Sequence, residues 1–351
     1  MKVSIGIGSV ASGRKRDFDE QVDYVVEAEK LGVHAVWTAE AWGQDAISPL
    51  AYIAARTSRI RLGTGIMQIS ARVPVMTAMT ALTMAAISND RFTLGLGTSG
   101  PKVVEGLHGR PFKVPLTRMK ETVEIIKLAF AGEKIEYHGK YHELPLPGGQ
   151  GKALRLSQPA NPNIPIYLAT LGPHALEYTG AAADGWLGTS FTPEHAAAHL
   201  DYLRRGAESA GRSLADIDIQ VGSTVAFGDD LDALVEPLKP AMAFTLGAMG
   251  SATTNFYNDA FKRGGWEAAA REVQSLWVAG KRPEAIAKVP PEMVIQANLL
   301  GDTEMVRNRI RAYKDAGVTT LRVAPEGRDL AEKLTTLGRV MELVRAVNSE
   351  G

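Results

Sequence analysis

The sequence predicts an α/β protein folded as a (β/α)8 barrel, with a hairpin and loop inserted after the fourth helix and a mostly helical insertion between strands seven and eight. Two observations lead to this fold class. Strand-like and helix-like segments alternate from the first residue with short loops between them, which requires parallel strands joined by helical crossovers. The alternation yields eight strand–helix units, and eight units fit a closed barrel better than an open sheet.

The predicted strands are short apolar runs, most of which end at glycine or a small polar residue. They span Lys2–Gly8, Ala35–Thr38, Ile60–Ile66, Phe92–Gly97, Ile166–Ala169, Gly185–Gly188, Ile217–Phe227 and Leu321–Ala324.

The segments after these strands have the apolar spacing of amphipathic helices. They span Phe18–Leu31, Ser48–Arg56, Val73–Ile87, Leu116–Phe130, Pro173–Gly180, Pro193–Ala210 and a last helix that ends near Val347. Gly32 is expected to stop the first helix, and Ser48 to cap the second, with Pro49 at its first helical position.

Two insertions interrupt the alternation. Ile135–Leu144 has the pattern of a hairpin that turns at Gly139 and Lys140, and the Pro/Gly-rich stretch Pro145–Pro165 is expected to be a surface loop. The second insertion, about 231–316, is predicted to be mostly helical, with helices at Leu231–Leu246, Trp266–Ala279 and Thr303–Ala316. Because no Ser/Gly-rich linker bounds it, residues 1–351 are predicted to form a single domain.

Composition excludes several functions. Lys+Arg and Asp+Glu both number 39, so the formal net charge is zero and no global basic field is available to bind nucleic acid. The absence of cysteine excludes disulfides, thiolate catalysis and iron–sulfur clusters. The seven histidines are scattered, and no metal site is predicted. No apolar run is long enough to span a membrane, and the N-terminus resembles a buried strand, so a cytoplasmic location is expected.

In a (β/α)8 barrel the active site lies at the carboxyl-terminal ends of the strands, and here those ends are rich in glycine. Glycine lets a ligand approach the backbone closely, so a large flat ligand is favoured over six ordinary tight turns. Gly95-x-Gly97-x-x-Gly100 matches a dinucleotide fingerprint. A Rossmann site is not predicted, because residues 101–115 are expected to separate this motif from the next helix.

The segment 171–176 is a better phosphate candidate, because a helix is predicted to begin at Pro173 and its free N–H groups would face the barrel mouth. Thr189 and Ser190, one strand further on, would add hydroxyl donors. An ordinary capped turn is the alternative interpretation.

Glu40 is the titratable residue of most interest, because it follows an apolar strand close to Trp42. A carboxyl group at that position could act as a general acid or base, and a structural hydrogen bond to a neighbouring loop is the alternative. Arg72 and His108 lie in loops after strands three and four, where either could meet a polar substrate or a phosphate.

Three segments together, Val36–Ala46, Thr57–Ile66 and Asn89–Gly97, resemble the bacterial luciferase-like superfamily. Ala183-Asp184-Gly185-Trp186 and Tyr313 with Gly317-Val318 extend the resemblance over nearly the whole chain. Within that superfamily, Gly97–Pro101 followed by Val103–Gly106 is most similar to the deazaflavin-dependent oxidoreductases.

The resemblance implies that coenzyme F420 binds at the barrel mouth, beside a non-prolyl cis peptide at Gly65-Ile66. It places the phosphate contacts on the loop residues Leu171, Gly172, Pro173, His174 and Ala175. It places near the ring and its linker the residues Gly65, Ile66, Gln68, Gly97, Thr98, Ser99 and Gly100.

The function that follows is hydride transfer between F420 and a small organic substrate, either a carbonyl/alcohol pair or an activated C=C bond. Glu40 is the candidate acid, and Trp42, His108 and Thr189 are candidate substrate contacts. The family's sugar-phosphate dehydrogenases carry histidine where Glu40 stands and an acidic residue where Gly100 stands, so their activity is not expected here.

Three further points follow from the resemblance. An FMN-dependent luciferase-like monooxygenase is the first alternative, with FMN as the cofactor. A non-catalytic cofactor-binding paralogue is the second. A homodimer is expected through the helices near strands two and three, where the face Met76–Ala81 would suit close packing or a core role.

Overall fold

The computed structural model of the protein describes residues 1–8, 10, 12–250 and 253–350, and eight parallel strands in it form a closed barrel. In chain order, the strands are β1 (Lys2–Gly6), β2 (Ala35–Thr38), β3 (Arg61–Thr64), β4 (Met67–Gln68), β5 (Phe92–Gly97), β6 (Tyr137–His138), β7 (Glu143–Leu144), β8 (Ile166–Ala169), β9 (Gly185–Gly188), β10 (Asp218–Phe227), β11 (Leu299–Gly301) and β12 (Thr320–Pro325). The barrel order is β1-β2-β3-β5-β8-β9-β10-β12, and it closes because β12 pairs with both β10 and β1. The predicted (β/α)8 fold is confirmed.

Helices follow the strands, and those outside the second insertion cover the outside of the barrel. They are α1 (Lys15–Leu31), α2 (Ile47–Ala54), α3 (Pro74–Ile87), α4 (Pro101–Gly106), α5 (Pro115–Phe130), α6 (Pro173–Ala182), α7 (Ala197–Ser209), α8 (Leu231–Val235), α9 (Lys239–Gly247), α10 (Phe256–Phe261), α11 (Glu267–Val278), α12 (Arg282–Ala287), α13 (Pro291–Ala297), α14 (Thr303–Asp315) and α15 (Leu330–Ser349). Gly32 ends α1 with a φ of 92°, the left-handed conformation that glycine adopts without steric cost.

Two local predictions are wrong. Ser48 does not cap α2, because the Asp45 carboxylate accepts the backbone N–H groups of Ile47 and Ser48, each at 2.8 Å. The second concerns the segment after Gly100, where a short helix, α4, begins at once with Pro101 at its first position. The interval predicted between the G-x-G-x-x-G motif and a helix is therefore absent, although the closed barrel still differs from a Rossmann sheet.

The end of the third predicted strand is broken by the Gly65-Ile66 peptide bond, which is cis, as the resemblance implies. Beyond this bulge, β4 resumes pairing with β5, so Met67 lies opposite Leu96 and Gln68 opposite Gly97. The bulge places Gly65 and Ile66 at the barrel mouth.

Large rings fill the barrel interior, and strand glycines make room for them. Trp37 and Tyr167 pack with ring centroids 5.6 Å apart. A Cβ on Gly63 would lie 2.3 Å from the Trp37 ring, and a Cβ on Gly185 would lie 2.5 Å from the Tyr167 ring. These two glycines therefore serve core packing, and only part of the glycine signal in the sequence marks a ligand site.

The insertions form as predicted, with differences in extent. β6 and β7 pair as an antiparallel hairpin around residues 139–142. Helices α8–α13 have a core of their own, centred on Leu246, Val273 and Met293. The buried face of α14, the last helix predicted in the insertion, instead joins the main core through Val306, Ile310 and Tyr313. Strand β11, which pairs with the outer end of β10, is not predicted from the sequence.

Candidate active site at the barrel mouth

A cavity of about 920 Å³ opens at the carboxyl-terminal ends of the strands, bounded on one side by the barrel and on the other by the insertion. Eleven of the predicted site residues line it: Glu40, Trp42, Gly65, Ile66, Gly97, Thr98, Ser99, Gly100, Leu171, Gly172 and Ala175. The insertion supplies an aromatic wall of Phe244, Phe256, Tyr257 and Trp277. A cavity of this size and apolar character suits a large planar ligand.

The other five predicted residues do not line this cavity. Gln68 is buried behind Glu40, and His108 contacts the Gln68 side chain through Nε2 at 3.2 Å. The His174 side chain is exposed beside Glu177, and Pro173 begins α6. Thr189 lines a separate cavity on the other side of the mouth. The sequence places all five near the carboxyl-terminal ends of the strands, but the direction of a side chain depends on its packing neighbours.

The Glu40 carboxylate is fully engaged by donors from other segments. Arg72 forms a bidentate pair with it, with Nη2–Oε1 at 2.6 Å and Nη1–Oε2 at 2.7 Å. The backbone N–H groups of Gln68 and Ala46 donate to the same carboxylate at 3.2 and 3.4 Å. A carboxylate has about four acceptor positions, and four donors reach this one.

These contacts tie Glu40 to the bulge. The Glu40 backbone N–H donates to the Ile66 carbonyl at 3.0 Å, and the Gln68 side-chain amide donates to the Glu40 carbonyl at 3.1 Å. Glu40 is 9% exposed in its side chain and Arg72 is 24% exposed, so the pair is shielded from solvent. The arrangement holds the backbone of residues 65–68 against strand β2.

The loop before α6 has the features of an anion site. The first-turn N–H groups of a helix lack intrahelical partners and carry the positive end of the helix dipole. Gly172 is the residue before the helix, and a Cβ placed on it would have no heavy atom within 4 Å. Arg263, from the insertion, donates through Nη2 to the Leu171 carbonyl at 2.5 Å. Arg263 is not predicted from the sequence, because 92 residues separate it from this loop.

A second cavity, of about 350 Å³, lies between strands β9, β10 and β12 and the insertion. Its polar lining includes Thr189, Ser190 and Arg322. Ser190 has a positive φ of 52°, which turns it into the mouth at the end of β9. The two hydroxyl residues are predicted from the sequence, but Arg322 is not.

Among residues 1–8, 10, 12–250 and 253–350, no group of three or more His, Asp or Glu side chains is positioned to hold a metal ion. Over the same ranges, no helix combines the length and the apolar character needed to cross a membrane.

The structure is thus a (β/α)8 barrel with a large cavity at its mouth, lined by a bulge and by a helix N-terminus. A family model described as luciferase-like monooxygenase matches residues 3–320, and the chain belongs to this family. The resemblance inferred from the sequence is confirmed.

Relatives within the family point to its deazaflavin branch. The chain is 39% identical over 321 residues to a Mycobacterium tuberculosis protein that carries the name of a coenzyme F420-dependent oxidoreductase, Rv3520c, covering 88% of this chain and 92% of the relative. It is 28% identical over 329 residues to the 5,10-methylenetetrahydromethanopterin reductase of Methanopyrus kandleri, covering 89% and 90% of the two chains. The solved structure of the coenzyme F420-dependent tetrahydromethanopterin reductase from the same organism superposes with a TM-score of 0.79 at 25% identity, covering 99% of each chain.

Proposed function

We propose that this protein is an F420-dependent oxidoreductase that transfers a hydride between coenzyme F420 and a small organic substrate, either a carbonyl/alcohol pair or an activated C=C bond. The observation that supports the proposal is the large cavity bounded by the Gly65-Ile66 bulge, the glycine-rich end of β5 and the N-terminus of α6. These features fit a planar tricyclic group at one end and a phosphate at the other.

Two kinds of residue would accommodate F420 in the cavity: glycines that leave space for it, and residues that donate hydrogen bonds to it. Gly97 and Gly100 leave the floor of the cavity open, and the α6 N-terminus with its neighbour Arg263 would hold the phosphate. Ile66 would support one face of the ring, while Thr98 and Ser99 would contact the ring edge or its linker. When bound, F420 supplies a ring carbon that gives or accepts a hydride; the protein orients the ring and excludes water.

For Glu40 the geometry favours a positioning role over the proton-donor role that the sequence suggests. Its carboxylate has four donors and no free acceptor position, and its contacts stabilise the bulge. We propose that Glu40 and Arg72 act together as a clamp that fixes residues 65–68 beneath the ring. His108 would act on the same element through Gln68.

Trp42 is the predicted substrate contact that the geometry supports best. Its side chain is 65% exposed at the rim of the large cavity, opposite the aromatic wall of the insertion. A bound substrate would cover the exposed Trp42 ring, and the burial of this apolar surface would stabilise the complex.

Cofactor binding tests the proposal directly. Purified protein would be titrated with F420 and, separately, with FMN, and binding followed by cofactor fluorescence. We expect saturable F420 binding and oxidation of reduced F420 with at least one member of a carbonyl and enone panel. Tight FMN binding without F420 binding would favour the monooxygenase alternative. F420 binding without turnover across the panel would favour a non-catalytic paralogue.

A homodimer through α3 is also proposed. The outward face of α3 carries Met76, Met79 and Ile87, which are 50%, 39% and 54% exposed, and Val73, directly before the helix, is 68% exposed. The small residues Thr77, Ala78 and Ala81 are buried in the other face, so the predicted segment 76–81 supplies both core and surface. An apolar stripe of this length on an exposed helix is typical of a protein–protein interface.

A further inference from the structure

Arg322 lies on β12 with its side chain directed into the barrel. Its neighbours Leu321 and Val323 face the outer helices and belong to the main core. A Cβ on Gly222, its register partner on β10, would lie 2.9 Å from Arg322 Nη2, and a Cβ on Gly65 would lie 3.5 Å from Nη1. The guanidinium therefore spans the mouth from β10 to the bulge, and glycine at position 222 leaves room for it.

The Arg322 guanidinium has no hydrogen-bond or ion-pair partner in the part of the chain that the structure describes. Burial lowers its pKa, but an arginine stays charged in a protein. Arg91 is the contrasting case, because its guanidinium donates to four backbone carbonyls near the base of β5. Arg322 is only partly buried and lines a cavity open to solvent, so its guanidinium is free to pair with an acceptor that comes from outside the chain.

The surroundings of Arg322 supply donors but no counter-charge. It lines the cavity of about 350 Å³ described above, and it is the one charged residue among the described residues of that lining. The Ser190 hydroxyl oxygen on the same lining is buried and has no hydrogen-bond partner among the described residues. Thr189 adds a further hydroxyl group, whereas the Thr245 hydroxyl on the same lining already donates to the Ala241 carbonyl at 2.9 Å.

We propose that this second cavity is an anion subsite for the substrate, in which Arg322 pairs with a carboxylate or a phosphate monoester and Ser190 donates a further hydrogen bond. The proposal deepens the function proposed above and rests on it, because it narrows the substrate class to small anionic compounds. Gly65 connects the two parts of the site: it lines the large cavity and lies against the Arg322 guanidinium. A substrate held at Arg322 would thus extend toward the cofactor's ring.

Isothermal titration calorimetry on the full-length protein at low ionic strength tests the subsite without turnover. The carboxylate arm compares benzoate with its neutral analogue benzamide, and the phosphate arm compares methyl phosphate with methanol. Each probe is titrated into wild type, Arg322→Gln, Arg322→Lys and the control Arg155→Gln, which changes an exposed arginine of the loop 145–165. F420 affinity is measured in parallel on the same four proteins.

We expect benzoate or methyl phosphate to bind wild type and Arg155→Gln at least about 10-fold more tightly than Arg322→Gln, the size of one lost charge-assisted hydrogen bond. Arg322→Lys should recover part of the affinity. Equal affinity of wild type for each anion and its neutral analogue overturns the proposal, and this comparison needs no variant to fold. Loss of F420 affinity in Arg322→Gln with anion binding unchanged also overturns it, because Arg322 would then serve the cofactor. Failure of F420 to bind any of the proteins contradicts the proposed function instead.

Discussion

His199 gives a quantitative prediction about stability, because its imidazole is buried without a partner. It lies on α7, 1% exposed, with its ring centroid 5.3 Å from that of Trp186 and 5.9 Å from that of Phe191. Neither ring nitrogen has a hydrogen-bond partner within the described part of the chain. Burial, with a contribution from the Arg263 charge, lowers the pKa of His199 from 6.5 to about 3.

The sign and size of the effect follow from proton linkage. Between pH 6.5 and pH 3 the unfolded chain binds a proton at His199 and the folded chain does not, so the free energy of unfolding falls as the pH falls. The slope is about 1.4 kcal/mol per pH unit. From pH 7 to pH 5, His199 alone should remove about 2 kcal/mol of stability.

Urea unfolding at pH 7, 6 and 5, followed by circular dichroism, measures this term. The comparison protein is His199→Leu, which fills the site with an apolar side chain that does not titrate. Its absolute stability is free to differ from that of wild type, because the quantity of interest is the difference in pH dependence. All other titrating groups are shared by the two proteins and cancel in that difference.

We expect the wild-type free energy of unfolding to fall by about 2 kcal/mol more than that of His199→Leu between pH 7 and pH 5. Parallel pH profiles for the two proteins would refute the reasoning. They would mean that His199 is protonated in the folded protein or that water reaches its ring.

Three further predictions concern the site and the assembly. Glu40→Gln should weaken F420 binding and turnover together, by about 10-fold, because the clamp on the bulge loses a charge-assisted pair. Fluorescence titration measures the binding and steady-state rates measure the turnover, with the exposed Glu208→Gln as the control. Lost turnover with intact F420 affinity would instead support the proton-donor role of Glu40. Gly97→Ala should weaken F420 binding by about 10-fold or more, because its Cβ would lie 2.8 Å from the Ile66 side chain and overpacking costs about 1–3 kcal/mol. The control is Gly338→Ala, whose Cβ meets no heavy atom within 4 Å and which should bind F420 as tightly as wild type. Equal F420 affinity of the two variants would contradict the prediction. Met76→Glu should halve the mass of the protein measured by light scattering. Val278→Glu, also on an exposed helix face, is the control and should leave that mass unchanged. A wild-type protein that is monomeric would contradict the proposed dimer.

Much of the fold could be predicted from the sequence because the signals are local. Strand residues, helix spacing and glycine stops act over a few neighbours, and they located all eight barrel strands to within a few residues. Prediction failed where local signals were ambiguous. Pro101–Gly106 was predicted to be a loop because the segment is short, but it folds as a helix. Leu299–Gly301 is too short to be predicted as a strand from its residues, and its pairing with β10 is what makes it one.

The candidate site was predicted in part for the same reason. The loops that form the cavity follow from strand ends, so Gly97–Gly100 and Leu171–Gly172 could be found from their position in the chain. The role of Glu40 could not, because it depends on Arg72, 32 residues away, and on the backbone of the bulge.

The sequence by itself determined the barrel, its family and the rim on which a ligand would lie, since periodicity and motif are properties of neighbouring residues. The tertiary structure alone decided which charges meet: Glu40 with Arg72, Arg263 with the α6 loop, and Arg322 with no partner among the residues that the structure describes. Pairing energies act through space between segments far apart in the chain, so only the folded arrangement shows which charge is satisfied and which is left for a ligand.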